Sequence, residues 1–453
     1  MSVLESAQAL AFVLLVVFLS YILVILVPFL RRKPDPEGDP SAFSWHVFVP
    51  CRDEEVVIGK TLELLRGKFP GAHVWVVDDD SDDDTAALVE AAADRDSMVH
   101  LVRRRRPLAR TGKGDALNAA YRTLDRWLPP GVDRSSVIVL VVDADGHLAD
   151  NAFRQAAGPL AFGDPEVGAA QTAVWMSNLD DPDLVGGRGR DRIKRAFGRY
   201  LVLMQDMEFR TTIAAMQSLR RHTLTVGLGG NGQFTRLSAL DVIARTSGQP
   251  WHGALLEDYE LAIHIMLGGY KTVYMHDTHV AQEALPDVRR LLTQRTRWCH
   301  GGMQCSTYLK RIFESPYFSN VGAIESSYFL IQPFIQIIGL VLWPTLFVTM
   351  VAQGSLTMGS FQAWITEAWY IIPLIFATGV LPFALWGVVY RRQVTPEKNF
   401  LLGVGWGLGY WIYMYQNYVT VLRATYRLIT GRQGWAKTRR NHENDANLLA
   451  KEA

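Results

Sequence analysis

Cysteine is nearly missing from this chain: three residues in 453, Cys51, Cys299 and Cys305, with no CxxC pair among them. Three thiols cannot all pair with one another, so no disulfide framework holds the fold, and each reads as a reduced, small buried hydrophobe, which suits a cytosolic face. Net charge is also missing. Lys and Arg total 46 against 45 Asp and Glu, a formal +1, so no global field draws the chain to nucleic acid. There is no dinucleotide fingerprint either: the glycines of Gly229–Gly232 lack GxGxxG spacing and come late. His147, His252, His264, His276, His279 and His300 show no metal-ligand spacing.

What the chain does have is apolar residues, 49% of the total, unevenly spread. Between Glu5 and Arg31 no charge occurs, and that length spans a bilayer core of about 30 Å. The run is too long for a signal peptide and no small-residue cleavage site comes after it. Arg31, Arg32 and Lys33 stand directly at its end, so the positive-inside rule places the N-terminus outside and the chain beyond residue 31 in the cytoplasm. Three more apolar stretches, roughly 327–352, 368–390 and 400–422, carry aromatic residues at their ends. One crossing plus three would put the basic tail RQGWAKTRRNHEN outside, so either one stretch is re-entrant or interfacial, or the count is different.

Residues 45–285 alternate short apolar runs with helical patterns. His46–Pro50, Val74–Val77, Met98–Val102 and Val137–Val142 read as strands, with helices from near Asp53 and Asp84 between them. That rhythm predicts an α/β fold with a parallel sheet. Ligands of such sheets sit at the carboxyl ends of the strands. Two strands end in acid: Val74–Val77 in Asp78, Asp79 and Asp80, and Val137–Val142 in Asp143 and Asp145. Carboxylates gathered on one rim need a cation or hydrogen-bond donors. In an extended segment Asp143 and Asp145 would point the same way, a pair suited to Mg²⁺ or Mn²⁺. A helix from Val288 would put Gln294, Arg297 and Trp298 on one face; the same helix, with Arg289, Arg290 and Arg295, would also suit lipid headgroups. Arg103–Arg106 reads as a solvated face, and 181–192 (DPDLVGGRGRDR) as a flexible loop.

The order of motifs resembles the membrane-embedded family-2 glycosyltransferases, the group of cellulose-, chitin- and hyaluronan-synthase-like enzymes. VFVPCRDEEVVIGKTLELL, VWVVDDDSDDDT, RTGKGDALNAAY, VVDADG, GGNGQFTRLSAL, LLEDYEL and QRTRW succeed one another as that family's motifs do, over about 46–305. The chain departs from the pattern with Asp53 for the commoner Asn, Asp80 for the commoner Gly, and Leu256 for the Thr of many processive members.

The resemblance implies a glycosyltransferase-A-type mixed sheet with flanking helices and an inverting reaction. It implies Asp145 as the more direct ligand of Mg²⁺ or Mn²⁺, with Asp143 nearer the sugar and ribose. Asp79, with Asp78, would meet a uracil-type base, and Arg297 the diphosphate; Lys113 stands between Gly112 and Gly114, which would let backbone approach a ligand closely, and its ammonium would reach phosphate or base. Gln294 and Trp298 would hold the acceptor. Asp258 would be the general base, beside Glu257.

The expected organisation is an N-terminal transmembrane helix (1–33), a cytoplasmic catalytic domain (34–285), interfacial helices carrying QRTRW (286–322), C-terminal transmembrane segments (323–428) and a basic tail (429–453). The intact QRTRW favours a processive polysaccharide synthase working from a nucleotide sugar, a UDP-sugar in the pattern of the family, at the inner face of a bacterial-type cell membrane. Four crossings are few for a sealed channel, so a homo-oligomer, or a non-processive enzyme adding one sugar to a lipid, stands close behind. A membrane-anchored binding protein with a degenerate transferase domain is more remote, since base and metal ligands are present.

Overall fold

The computed structural model describes residues 3–184, 189–352 and 376–432, with positions 359, 362, 366 and 373. The sheet begins with β1 (Ser44–Cys51), β2 (His73–Asp79), β3 (Val99–Arg104) and β4 (Val137–Val141). These four are mutually parallel, in the order β3-β2-β1-β4. Every residue of β4 is buried, and a strand covered on both faces reads as a continuous apolar run rather than an alternating one. Helices α2 (Glu55–Lys68) and α3 (Thr85–Ala93) cover one face through Ile58, Leu62, Leu65 and Val89. Helix α4 (Lys113–Trp127) covers the other through Leu117 and Leu124.

Past β4 the sheet turns mixed. The chain continues through β5 (His147–Leu148), α5 (Ala152–Ala156), β6 (Val167–Met176), α6 (Gly189–Met207), a π-helical turn (Glu208–Ile213) and α7 (Ala214–Thr223). It then forms β7 (Gln233–Arg236), α8 (Leu237–Ser247), α9 (Glu257–Leu267) and β8 (Lys271–Gln282). The full order is β3-β2-β1-β4-β7-β6-β8-β5, with β7 antiparallel to both neighbours. This is the expected glycosyltransferase-A-type α/β sheet. The four strands expected from sequence are all present, with ends displaced by a residue or two. The 181–192 loop differs: Pro182–Leu184 is a 3-10 turn and α6 starts at Gly189, with 185–188 outside the described residues.

Long apolar helices flank the sheet. Two among the described residues are long and apolar enough to cross a membrane: Glu5–Arg31 of α1 (Val3–Arg31) and Asn320–Leu346 of α12 (Asn320–Ala352). Between the sheet and α12 lie α10 (Val288–Cys305) and α11 (Leu309–Glu314). The chain then forms α13 (Leu381–Val394), α14 (Phe400–Met414) and α15 (Gln416–Ile429). The stretch predicted over 368–390 lies partly outside the described residues, as does the tail beyond Arg432. The 400–422 stretch is not one apolar helix: it changes character at Tyr415, and α15 is amphipathic and packs on α10.

Buried ion pairs tie the apolar helices to the sheet domain. Arg220 of α7 donates from Nε to Glu325 of α12 at 2.7 Å, and Tyr21 of α1 donates to the same carboxylate at 3.4 Å. Arg295 of α10 donates to Glu208 of the π turn at 2.6 Å, and Tyr413 of α14 donates to that carboxylate at 3.0 Å. Each carboxylate keeps several donors, which is what lets a buried charge persist.

Candidate active site

Strand β4 ends in the acidic motif, but not in extended chain. Gly146 donates its N–H to Asp143 O at 2.8 Å, so Asp143–Gly146 is a tight turn. This corrects the expectation that both carboxylates leave a straight strand on one side. Beside that turn runs the segment entering β7. Asp143 donates its backbone N–H to Asn231 Oδ1 at 3.2 Å, and Lys113, the first residue of α4, donates to Asp143 Oδ1 at 2.5 Å and to Gly230 O at 2.6 Å. Burial works against the Lys113 ammonium, but the carboxylates of Asp143, Glu257 and Asp258 outweigh it and raise its pKa. Gly114, expected to give ligands room, faces the chain instead: a Cβ there would lie 3.1 Å from His252 O.

Asp258 sits in the first turn of α9. The positive end of the helix favours carboxylates there, yet no side chain caps it; among the described residues Asp258 Oδ1 accepts the N–H of Tyr259, at 2.7 Å. Burial and the neighbouring Glu257 push the Asp258 carboxyl up to about 7, against the pull of Lys113 and Arg297. Gly230 holds the two groups at close quarters: a Cβ there would lie 2.7 Å from Lys113 Nζ and 3.1 Å from Asp258 Oδ2. A carboxylate poised near neutrality beside a fixed ammonium can take a proton from a bound hydroxyl.

A cavity of about 470 Å³ opens at this point. Seven of the ten residues singled out from sequence line it: Lys113, Asp143, Glu257, Asp258, Gln294, Arg297 and Trp298. Gln294, Arg297 and Trp298 share one face of α10. Arg297 makes no ion pair among the described residues, and its Nε is buried without a partner. Trp298 packs edge-on to Phe209 at 6.3 Å and under the Arg295 guanidinium at 4.5 Å. The same cavity is lined by Phe329 and Gln332 of α12, Met414 of α14 and Asn417 of α15.

The other three residues stand apart from the cavity wall. Asp145 is buried and accepts the Glu283 N–H at 3.3 Å. Asp78 is fully buried, with Oδ1 accepting from Ser81 N and Oδ2 from Arg105 at 3.0 Å. Asp79 is bonded to buried Arg104, and burial nonetheless raises its pKa. Arg103, Arg105 and Arg106 are exposed, as the solvated-face reading expects, and Arg104 alone is buried. Arg104, Arg105 and Arg106 each reach back to a carboxylate at the end of β2, the last to Asp80 at 2.8 Å. Parallel pairing of β2 and β3 sets Asp78 and Asp79 beside Arg103 and Arg104, a register no local pattern reveals.

Residues to which the sequence gave no role in the site include Asn231, Gly230 and Glu208; Arg295, expected among the headgroup-facing cations of its helix, is instead buried on Glu208. Asn231 lay within a quoted motif; Glu208 and Arg295 meet across 87 positions and carry no local signal. Two histidine groups also come together in space, His252–Glu260–His264 and Asp35–His276–Asp277. In the first, Tyr308 donates to Glu260 at 2.8 Å and contacts His264 Nε2 at 3.1 Å, so the polar atoms already serve one another.

Fold and site together define a glycosyltransferase-A-type domain with a carboxylate–lysine centre at the sheet rim. The model for "Glycosyltransferase like family 2" matches residues 43–301, more than half of the chain, and the chain belongs to that family. It is 27% identical over 276 residues to a beta-monoglucosyldiacylglycerol synthase of Synechocystis sp., covering 59% of this chain and 50% of that protein. It is 28% identical over 268 residues to the protein of that name from Trichormus variabilis, covering 57% and 48%. The chain thus spans about half the length of the curated relatives it matches. A mannosyltransferase from Pyrobaculum calidifontis, solved with GDP-Man and Mn²⁺, shares the fold with a TM-score of 0.57 at 18% identity, over 95% of this chain and all of that one.

Proposed function

We propose that the chain transfers one sugar, with inversion, from a nucleotide sugar to a hydroxyl of a membrane-resident acceptor, at the cytoplasmic face. The observation that carries this reading is a single cavity lined both by Asp258 and Lys113 and by residues of α12, α14 and α15. An acceptor resting among those helices would present its hydroxyl to Asp258. The relatives named for glucosyldiacylglycerol synthesis support a lipid acceptor and a glucosyl donor.

In this mechanism Asp258 takes the acceptor proton as the oxygen attacks the anomeric carbon. The bond from that carbon to the diphosphate breaks, and the nucleoside diphosphate leaves with both electrons. Arg297, free of a carboxylate partner among the described residues, and Lys113 meet the charge on the leaving group. Asp143 and Asp145, two carboxylates in one turn, are an all-oxygen donor set of the kind a hard divalent ion takes. They would hold Mn²⁺ or Mg²⁺, which as a Lewis acid would screen the diphosphate. Trp298 offers a ring for an acceptor or donor sugar, steadied by Arg295 and Phe209. The intact Gln294–Trp298 signature favours a second reading, processive synthesis of a polysaccharide, in which the same cavity is the start of an exit path.

Release of nucleoside diphosphate from a panel of nucleotide sugars, with product length read by chromatography, tests both. A single added sugar supports transfer to a lipid, and long polymer supports the second reading. Asp258→Asn should cut turnover by about 10²–10⁴ while donor binding persists. Asp145→Ala should abolish metal-dependent donor binding. Full activity of Asp258→Asn would end the proposal.

A further inference from the structure

Strand β6 is apolar apart from two neighbouring positions, Gln171 and Thr172. Gln171 is 3% exposed, and an amide taken that far from water is costly unless both of its ends are bonded. Its Oε1 accepts the Gly229 N–H at 2.8 Å, and its Nε2 donates to Asn231 O at 2.9 Å and to Thr172 O at 3.1 Å. One side chain thus bonds the segment Gly229–Asn231 at both ends. An N–H on one side and carbonyls on the other call for a group that accepts and donates at once, which an amide does and a carboxylate or a thioether does not.

That segment carries contacts of the carboxylate–lysine centre. Gly230 O accepts the Lys113 ammonium at 2.6 Å, and Asn231 Oδ1 accepts the Asp143 N–H at 3.2 Å. Asn231 Nδ2 donates in turn to Gln282 Oε1 at 3.0 Å. There is no slack at Gly230, where Lys113 Nζ and Asp258 Oδ2 lie 2.7 and 3.1 Å from the place a Cβ would take. A displacement of this backbone therefore moves Lys113 and Asp143 against Asp258. The flanks are held separately. Gln217 of α7 donates to Gly227 O at 2.6 Å, and Gly232 donates to Val141 O of β4 at 3.0 Å. With both flanks anchored, loss of the Gln171 amide would loosen the middle of the segment and leave its ends in place.

We infer that Gln171 is a positioning residue for the transfer: it fixes Gly229–Asn231, and through Gly230 O and Asn231 Oδ1 it sets Lys113 and Asp143 in place against Asp258. This rests on the proposed function, because it assumes that Lys113 and Asp143 meet the donor. Misplacing reacting groups by about 1 Å can cost on the order of 10²-fold in rate, so a side chain that acts only through the backbone it holds can still govern turnover.

The test uses the full chain in nanodiscs with two replacements. Gln171→Met keeps the shape and loses both bonds. Gln171→Glu keeps the acceptor for Gly229 and sets a carboxylate against two carbonyl oxygens. Nucleoside diphosphate release would be followed with the nucleotide sugar and acceptor that the parent turns over, each varied in turn, alongside thermal unfolding. Both variants should lose about ten- to hundredfold in kcat/KM for the donor, with the acceptor KM within about twofold of the parent. Lys113→Met would then be combined with Gln171→Met. Because Gln171 acts through the segment that holds Lys113, the loss in the double variant should fall well short of the product of the two single losses. A lowered melting temperature with kinetic constants within about twofold of the parent makes Gln171 a packing residue and overturns the inference. So do failure of both variants to fold, an equal rise in the donor and acceptor KM, and single losses that multiply in full. A parent that turns over no nucleotide sugar overturns the proposed function itself, before any variant is compared.

Discussion

Gly301 of α10 lies against the backbone of Leu256, the residue just before α9: a Cβ at 301 would fall 2.4 Å from Leu256 N. That contact, with Gln304 accepting the Leu255 N–H at 2.8 Å, sets the face bearing Gln294, Arg297 and Trp298 against the turn bearing Glu257 and Asp258. The helix carrying the signature and the helix start carrying Asp258 thus meet at the smallest side chain available.

Gly301→Ala should therefore cost activity. The backbone must shift to admit the methyl, a strain of about 1–3 kcal/mol, and the shift separates Arg297 from Asp258. Gly302→Ala is the control, because a Cβ there meets nothing within 4 Å. Thermal unfolding and kcat/KM of both variants check this: Gly301→Ala should fall in both measures, whereas Gly302→Ala should keep its melting temperature.

Turnover should depend on pH through Asp258. Its pKa is raised to about 7, and a general base acts only when ionised, so the rate should rise with pH through about 7 and be lost below it. Arg297 pulls that pKa down, so Arg297→Ala should move the acidic limb to higher pH as well as slow the reaction. Loss of the base in Asp258→Asn should cost on the order of 10²–10⁴ in kcat. A pH profile of kcat for the three proteins reads all of this.

The Arg295–Glu208 pair should behave as a structural clamp. Glu208→Gln or Arg295→Met each leaves one buried charge uncompensated, at a cost of about 3–5 kcal/mol. The double replacement should cost less than the sum of the two. A double-mutant cycle on unfolding in detergent measures the coupling. Trp298 fluorescence should respond to Arg295→Met, because the guanidinium lies over its ring.

Two departures from the family pattern sit in strained backbone. Asp53 has φ 54° and Asp80 φ 62°, the left-handed region where Gly and Asn are at ease. Asp80 still pairs with Arg106 at 2.8 Å, so replacing it removes a contact as well as strain. Comparing Asp80→Gly with Asp80→Ala cancels the contact. The glycine variant should be the more stable by about 1–2 kcal/mol, measured by denaturation.

The sequence alone was enough for the class of fold. Strands β1, β2 and β4 announce themselves as apolar runs because each is buried on both faces, and the rhythm of intervening helices implies parallel pairing. It was enough, too, for the shared face of Gln294, Arg297 and Trp298, since helical spacing is local, and for naming Asp258 and Lys113 as candidates, since their motifs are contiguous; that the two line one cavity came from the fold. Tertiary structure decided the rest. Register between β2 and β3 brought Arg104, Arg105 and Arg106 to Asp79, Asp78 and Asp80, so that a stretch still largely exposed also carries ion pairs along the sheet rim. The turn at Asp143 redirected a motif that reads as extended chain. The Arg295–Glu208 and Arg220–Glu325 pairs, and the cavity they flank, come from residues more than eighty positions apart. Helical and strand periods encode which way a residue faces along its own element; which charge it meets depends on how those elements pack, and no short stretch of sequence carries that.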